Sequence, residues 1–222
     1  MKSLIIIGAR GYGREVCNLI ENGRDMCRFF FQGEEIEAHS FVVKGFLDDK
    51  ADALDGLGDW PPILGPVETY EIQPNDVFFC ALGDSHWRRH YAEVIALQGG
   101  HFMTIVHKTA FVSPYATIGE GCVISAFSSI SVNVTIGNQV IIHPYSNFGH
   151  DASVGDYASI ESYVFLGGSA SVGELSTMHT KSSIVPHKSV GKECSVGIGS
   201  VVMRNFKDGS RVFGNPAVLL KI

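Results

Sequence analysis

Three glycines near the start of the chain, Gly8, Gly11 and Gly13, are spaced so that a phosphate group could approach the backbone. They follow the apolar run Leu4–Ile7 and precede a predicted helix, whose N-terminal N–H groups attract anions. Their order is Gly-x-x-Gly-x-Gly, not the Gly-x-Gly-x-x-Gly of dinucleotide sites, and the acidic pair Asp48–Asp49 lies beyond a long insertion. The motif predicts a phosphate contact or a purely structural turn, and an NAD site is not favoured.

Composition narrows the possible partners and compartments. The 222 residues are 45% hydrophobic and 18% charged with a net charge of −6, which excludes a disordered chain and argues against a general nucleic-acid or anionic-membrane surface. The first apolar run is too short for a signal peptide, and no later run has membrane length. The cysteines are Cys17, Cys27, Cys80, Cys122 and Cys194. Their scatter, without a Cys-x-x-Cys pair, predicts reduced thiols in a cytoplasmic protein.

The first hundred residues alternate strand and helix patterns. Strands are predicted over Leu4–Ile7, Phe41–Leu47 and Asp76–Leu82, and helices from about Gly13 and from Ser85 to Leu97. The charged stretch 21–40 and the proline-rich stretch 61–66 are expected to be irregular surface excursions. We therefore predict a Rossmann-like α/β domain with a small parallel sheet over residues 1–105.

From Val112 to Val202 every sixth residue is apolar, without insertion or deletion. Glycines recur every eighteen residues, at Gly119, Gly137, Gly155, Gly173 and Gly191, where we expect turns with positive φ. Three hexads therefore make one coil. The pattern is typical of a triangular parallel β-helix, with about five coils, over residues 106–222. A strict period of six does not keep side chains on one face of an α-helix.

Three histidines, His107, His143 and His179, are each thirty-six residues apart. Two coils would separate neighbours in this column by about 9.6 Å, since coils stack at about 4.8 Å. Zinc ligands lie about 2 Å from the metal, so that these histidines cannot share one zinc within a chain. No metal site is predicted, although a site shared between chains, as in hexapeptide-repeat carbonic anhydrases, stays open.

Five segments together resemble one family over nearly the whole chain. They are Ile6–Glu15, Gly45–Asp49, Gly149–Asp151, Leu166–Gly168 and Gly214–Ala217. The family is that of the left-handed β-helix sugar acyltransferases, which include nucleotide-amino-sugar N-acetyltransferases and sialic-acid O-acetyltransferases. The resemblance implies a left-handed parallel β-helix after the α/β domain, acetyl-CoA as cosubstrate in a groove between neighbouring coils, and a homotrimer.

The resemblance also implies the catalytic residues. His150 matches the family's proposed general base and Asp151 the acidic residue that supports it; an amine or hydroxyl attacking a thioester must lose a proton, which a histidine accepts near neutral pH. Gly168 lies one coil from His150, at about 4.8 Å, and matches an amide that faces the acetyl carbonyl. From the residues alone, a turn histidine and a tight glycine corner are the alternative.

Further binding residues follow from the same resemblance. Thr180, Gly197 and Ile198 are expected along the acetyl-CoA groove; Gly11, Tyr12 and Arg14 near the diphosphate; Asp48 near the base or ribose; and Gly83 at the edge of the nucleotide pocket. Some relatives carry a second histidine nine residues after the base. This chain has Ser159 there, which is expected to contact the acceptor instead.

The function predicted is acetyl transfer from acetyl-CoA to the amino group of a nucleotide-linked amino sugar, in surface glycan synthesis. No acyl-enzyme is expected, because no cysteine or serine is evidently paired with His150. The alternative is transfer to a hydroxyl of sialic acid or another sugar. A non-catalytic sugar-nucleotide-binding or scaffold protein is the alternative from another class.

Overall fold

The apolar run near the start of the chain forms an inner strand of a parallel sheet in the computed structural model, which describes residues 1–220. The first of two units, Met1–Ile105, contains β1 (Lys2–Ile7), α1 (Gly11–Asn22), β2 (Cys27–Phe31), β3 (Glu34–Ile36), β4 (Phe41–Leu47), β5 (Ile63–Gly65), β6 (Asp76–Cys80) and α2 (Ser85–Leu97). The sheet order is β5-β4-β1-β6, all parallel. Leu4 to Ile7 are at most 1% exposed, as expected for a parallel strand covered on both faces.

The predicted α/β pattern is confirmed in this unit, with two differences. The proline-rich stretch 61–66 is not wholly irregular, because it contains β5, which pairs in parallel with β4. The stretch 21–40 is not irregular, because β2 and β3 form an antiparallel hairpin in which Phe29 is opposite Ile36. Phe29 is fully buried, and its ring meets the edge of Phe41 at 4.9 Å. Arg28 pairs with Glu35 across the hairpin at 2.6 Å. These charged side chains lie on the outer face, which is why the stretch has the composition of a loop.

The glycine turn after β1 lets α1 pack closely against the sheet. Gly8 has a φ of +94°, a region that side chains rarely adopt. A Cβ on Gly13 would overlap the carbonyl oxygen of Gly8, whereas a Cβ on Gly11 would meet nothing within 4 Å. Gly13 is therefore required by the approach of helix to turn, and Gly11 is not.

The second unit, which begins at Val106, is a solenoid; β7 (Met103–His107) crosses the boundary between the units. Each hexad supplies one strand of two residues. The strands are β8 (Phe111–Val112), β9 (Thr117–Ile118), β10 (Val123–Ile124), β11 (Ser129–Ile130), β12 (Thr135–Ile136), β13 (Ile141–Ile142), β14 (Asn147–Phe148), β15 (Ser153–Val154), β16 (Ser159–Ile160), β17 (Phe165–Leu166), β18 (Ser171–Val172), β19 (Thr177–Met178), β20 (Ser183–Ile184), β21 (Ser189–Val190), β22 (Ser195–Val196) and β23 (Val201–Val202), followed by β24 (Arg211–Phe213) and β25 (Val218–Leu219).

Strands eighteen residues apart pair in parallel, and this confirms the coil of three hexads. One ladder joins β8, β11, β14, β17, β20 and β23; a second joins β9, β12, β15, β18 and β21. The third includes β10, β13, β16, β19 and β22, and it continues to β24, which pairs with β22 at the shorter offset between Ser195 and Arg211. The apolar residue that ends each hexad strand points inward and is buried from Ile124 to Val202, whereas Val112 and Ile118 in the first coil are half-buried.

The expectation of positive φ at the repeating glycines was wrong. Positive φ occurs two positions later in each hexad, mostly at residues other than glycine: Phe127, Asn133, Gln139, Tyr145, Asp151, Tyr157, Tyr163, Ser169, Leu175, Lys181, His187 and Glu193. The glycines instead allow close stacking. A Cβ on Gly119 would lie 2.7 Å from the carbonyl carbon of Gly137, and one on Gly155 would lie 2.5 Å from the backbone nitrogen of Glu174.

We expect Gly13→Ala to lower the free energy of unfolding by about 1–3 kcal/mol, because the added methyl group must push α1 away from the Gly8 turn. The matched control is Gly11→Ala, which adds the same group in open space and should leave stability unchanged or raise it by up to about 1 kcal/mol. Urea unfolding measures both. Equal stability of the two variants would contradict the packing argument.

Candidate active site

His150 and Asp151 lie at the corner of the solenoid that follows β14. The Nδ1 atom of His150 is 2.7 Å from Oδ2 of Asp151, whose other oxygen accepts a hydrogen bond from the Asn133 side chain at 3.0 Å. These hydrogen bonds, from His150 first and then Asn133, lower the pKa of Asp151 below its ordinary value. An ionised carboxylate only accepts hydrogen bonds, so Nδ1 carries the proton. The Nε2 atom of a neutral His150 is then an acceptor, which is the state a general base needs.

Gly168 lies one coil away and in contact with the His150 ring. A Cβ on Gly168 would be 2.6 Å from Nε2 and 2.7 Å from Cε1 of His150, so no larger residue fits beneath the imidazole in this position. Gly149, before the histidine, packs closely too, because its Cβ would lie 2.6 Å from the backbone nitrogen of Gly168. The structure thus brings together His150, Asp151 and Gly168, as the sequence spacing predicted.

The backbone N–H of Gly168 has no hydrogen-bond partner among residues 1–220. At the same place in two other hexads the N–H group is bound by a side chain one coil further on. The N–H of Glu120 donates to Asn138 at 3.0 Å, and that of Asn138 donates to Asp156 at 2.7 Å. One coil beyond Gly168 the chain has Pro186, which offers no side-chain acceptor. The Gly168 N–H is therefore open to a ligand beside Nε2 of His150.

A second histidine–carboxylate pair lies at the corner after β16 and β19. Nδ1 of His179 is 2.9 Å from Oε1 of Glu161, and Nε2 of His179 is 3.2 Å from Oγ of Ser195. Oε2 of Glu161 accepts from the backbone N–H and the hydroxyl of Thr180, at 2.8 and 2.9 Å. Partial burial raises the pKa of Glu161, but the Thr180 and His179 hydrogen bonds outweigh it and the pKa is lowered. Our sequence reasoning missed Glu161, although its spacing of one coil from His179 could have revealed it.

The residues expected to contact acetyl-CoA and the acceptor differ in their exposure and in whether their polar groups already have hydrogen-bond partners. The N–H and hydroxyl of Thr180 are engaged by Glu161, and its carbonyl accepts from Gly199. The N–H of Gly197 donates to Val212. Ile198 is 61% exposed. Ser159, the expected acceptor contact, is only 7% exposed.

The first unit has a cleft of about 280 Å³ at the carboxyl ends of its parallel strands. It is lined by Ile7, Gly8, Arg10, Leu47, Asp48, Asp49, Val67, Leu82, Gly83, Asp84, Trp87 and Tyr91. Open parallel sheets bind ligands at this edge. Of the residues expected to hold the nucleotide, Asp48 and Gly83 line the cleft. The Asp48 carboxylate accepts from the N–H groups of Ala9 and Lys50, at 2.9 and 3.0 Å, and so shapes the loops around it.

Gly11, Tyr12 and Arg14 lie in the first turn of α1 and do not line the cleft. Burial raises the pKa of the Tyr12 hydroxyl, which the nearby Arg88 partly opposes. The Nε atom of Arg14 is buried without a hydrogen-bond partner in the described part of the chain. No side chain of that part caps the N-terminus of α1, whereas Asp84 caps α2 by accepting from two backbone N–H groups. Of the two helices, α1 is thus the one whose N-terminus can receive an anion.

Among residues 1–220, no group of three or more His, Cys, Asp or Glu side chains could hold a metal ion. No helix there is long and apolar enough to cross a membrane.

Comparisons with known proteins match both units. The family model of the PglD N-terminal domain matches residues 3–95, and that of the bacterial transferase hexapeptide (six repeats) matches residues 133–168. The curated UDP-N-acetylbacillosamine N-acetyltransferase of Bacillus subtilis is 32% identical over 128 residues, which are 57% of this chain and 52% of that protein. The match therefore spans about half the length of this relative.

Solved structures match over the whole chain. The acetyltransferase domain of PglB from Neisseria gonorrhoeae is 26% identical, with a TM-score of 0.82 over 99% of this chain and 100% of that one. The same domain is known in complex with acetyl coenzyme A. PerB from Caulobacter crescentus, solved with CoA and GDP-perosamine, is 24% identical with a TM-score of 0.83, covering 100% of this chain and 98% of that one, and shows likeness of fold alone. The resemblance to hexapeptide-repeat sugar acyltransferases and the left-handed β-helix are confirmed.

We expect Glu161→Gln to destabilise the protein near neutral pH and to do so less as the pH falls. A carboxylate whose pKa is lowered by folding adds stability above its unfolded pKa, and this contribution is lost as the pH falls through the folded pKa. Urea unfolding between about pH 7 and pH 3 measures the difference from the parent protein. Glu193→Gln, which removes an exposed carboxylate of the same solenoid, is the control. A difference in free energy of unfolding between the variant and the parent that stays constant over this pH range would contradict the lowered pKa of Glu161.

Proposed function

We propose that this chain, a PglD N-terminal domain followed by a hexapeptide-repeat solenoid, transfers acetyl from acetyl-CoA to the amino group of a nucleotide-linked amino sugar. One observation carries the proposal. The Nε2 atom of His150, whose Nδ1 atom is 2.7 Å from Asp151, lies against Gly168, whose N–H is open. A proton acceptor and a hydrogen-bond donor thus lie side by side, as acyl transfer from a thioester requires.

The proposed reaction is a direct transfer. His150 Nε2 accepts a proton from the amine as the amine nitrogen bonds to the acetyl carbon. The Gly168 N–H donates to the thioester oxygen while that oxygen bears negative charge. Asp151 stabilises the imidazolium that forms. The carbon–sulfur bond then breaks, and the leaving thiolate takes the proton from His150, which restores the base.

A covalent acyl-enzyme is not part of this proposal. Asp151 is the side chain that His150 contacts by hydrogen bond in the described residues, so no serine or cysteine is activated by it there. The cysteines at positions 17, 27, 80, 122 and 194 are all buried as free thiols. Burial raises the pKa of Cys80 to about 12, which disfavours the nucleophilic thiolate.

The first unit is proposed to hold the nucleotide. Its cleft at the strand ends can take the nucleoside, with Asp48 and Gly83 in the lining, and the uncapped N-terminus of α1 can take the diphosphate near Gly11, Tyr12 and Arg14. The curated relative supports this choice, since its name specifies a UDP-linked sugar.

Other parts of the proposal come from the family resemblance. Thr180, Gly197 and Ile198 stay predicted contacts of acetyl-CoA, and Ser159 a predicted contact of the acceptor. A homotrimer is proposed on the same ground. A cytoplasmic location is proposed because the cysteines are scattered and unpaired. The similar PglB domain, which is known in complex with acetyl coenzyme A, supports the choice of acetyl-CoA as acyl donor.

The function is tested by measuring thiol release from acetyl-CoA with a panel of UDP-, GDP- and dTDP-linked 3-amino and 4-amino sugars, together with free sialic acid. We expect turnover with an amino sugar linked to one of these nucleotides, because the site offers both a base and a nucleotide cleft. Turnover with sialic acid alone would replace the proposal by O-acetyl transfer. No turnover with any acceptor would favour a binding or scaffold protein.

His150→Ala should lower kcat roughly 10²–10⁴-fold, as expected for loss of a general base. Circular dichroism should show an intact fold, because the His150 side chain is 62% exposed. His39→Ala, which removes an exposed histidine from the first unit, is the matched control and should keep parental turnover. Near-parental turnover of the His150 variant would refute the assignment of the base.

A further inference from the structure

Two aromatic rings on α2 form part of the cleft in the first unit. Trp87 and Tyr91 are one helical turn apart, with ring centroids at 5.8 Å and planes at 24°, so they are stacked. Both line the cleft. Trp87 is nevertheless 57% exposed, which leaves a large aromatic surface beside the loops that follow the parallel strands.

The position of the Trp87–Tyr91 stack is held by neighbouring groups. The Tyr91 hydroxyl donates to Oδ2 of Asp49 at 3.1 Å, and burial, followed by this hydrogen bond, raises the pKa of Tyr91 to about 12. The backbone N–H of Trp87 donates to the Asp84 side chain at 3.0 Å. The His90 ring meets the Trp87 ring edge-on, with centroids 5.7 Å apart. These contacts hold the Trp87 ring in place, so that binding a ligand costs little side-chain entropy.

Two carboxylates, those of Asp48 and Asp49, line the cleft together with the stack. Both oxygens of Asp48 are used by backbone N–H groups. Asp49 uses Oδ2 for Tyr91, and its Oδ1 has no partner among residues 1–220. A carboxylate oxygen next to an aromatic surface suits a nucleoside, whose base stacks and whose ribose hydroxyls donate.

We propose that the base of a nucleoside diphosphate stacks on Trp87, with a ribose hydroxyl donating to Asp49. This inference rests on the proposed function and names the residue that recognises its substrate's nucleotide. Every base has a π-face, so Trp87 contributes to binding of uracil, guanine and thymine nucleotides alike. Discrimination among these nucleotides depends on hydrogen bonds to the edges of the base, which stacking does not provide.

The first test measures binding of UDP, GDP and dTDP by calorimetry. Trp87→Ala should weaken the nucleotide that binds the parent protein best by about 10-fold or more, and Trp87→Phe, which keeps an aromatic face, should lose less. In turnover the KM for the sugar nucleotide should rise with Trp87→Ala, and the KM for acetyl-CoA should not. Parental nucleotide affinity in a folded Trp87→Ala protein would overturn the proposal.

The second test uses fluorescence. The chain has two tryptophans, so Trp60→Phe leaves Trp87 as the single reporter. Nucleoside diphosphate should quench or shift this emission, and an amino sugar without a nucleotide should not. Nucleotide binding seen by calorimetry without any change in emission would overturn the proposal, as would absence of nucleotide binding.

The two tests separate this inference from the proposed function. Nucleotide binding that depends on Trp87, without acetyl transfer to any acceptor, would refute the enzyme and keep the stacking site. Acetyl transfer to a nucleotide-linked amino sugar with equal KM in the parent and Trp87→Ala proteins would keep the enzyme and refute the stacking site.

Discussion

The structure of the second unit depends on one constraint: the backbone of each coil hydrogen bonds to the coil eighteen residues later. Parallel pairing of two-residue strands, such as Asn147–Phe148 with Phe165–Leu166, keeps this offset from β8 to β23. The same range, Val112 to Val202, is the part of the sequence in which the hexad is uninterrupted. The inward apolar column follows from the same geometry.

The candidate active site is a local consequence of that stacking. Because coils lie so close, the ring of His150 can rest on Gly168 only when position 168 has no side chain. In two other hexads the side chain of Asn138 or Asp156 binds the corresponding N–H from one coil further on, whereas Gly168 has Pro186 there, which offers no side-chain acceptor. Asp151 has a φ of +60°, and the corresponding residues of the hexads from Gly121 to Gly199 also have positive φ. The site therefore uses the ordinary backbone of the solenoid, and it is distinguished by the residue types at His150, Asp151 and Gly168.

In the first unit the cleft is formed by loops at one edge of the parallel sheet. Parallel strands end at one edge of the sheet, so the loops after β1, β4 and β6 meet there. The two helices that follow β1 and β6 differ in their N-termini: Asp84 satisfies α2, and the N-terminus of α1 is left without a side-chain cap in the described residues. The glycine turn before α1 thus serves both helix packing, through Gly13, and access to the helix N-terminus, through Gly11.

The sequence by itself determined the solenoid, its coil length, and the pairing of His150 with Gly168, because a strict period converts sequence separation directly into distance. It also determined the parallel sheet, since continuous apolar strands alternate with helices. Only the tertiary structure decided that the Gly168 N–H has no hydrogen-bond partner among the described residues, that the stretch 21–40 contains a hairpin, and that Trp87 lies on the cleft. These outcomes depend on side-chain directions and long-range packing, which no local pattern of residue types specifies.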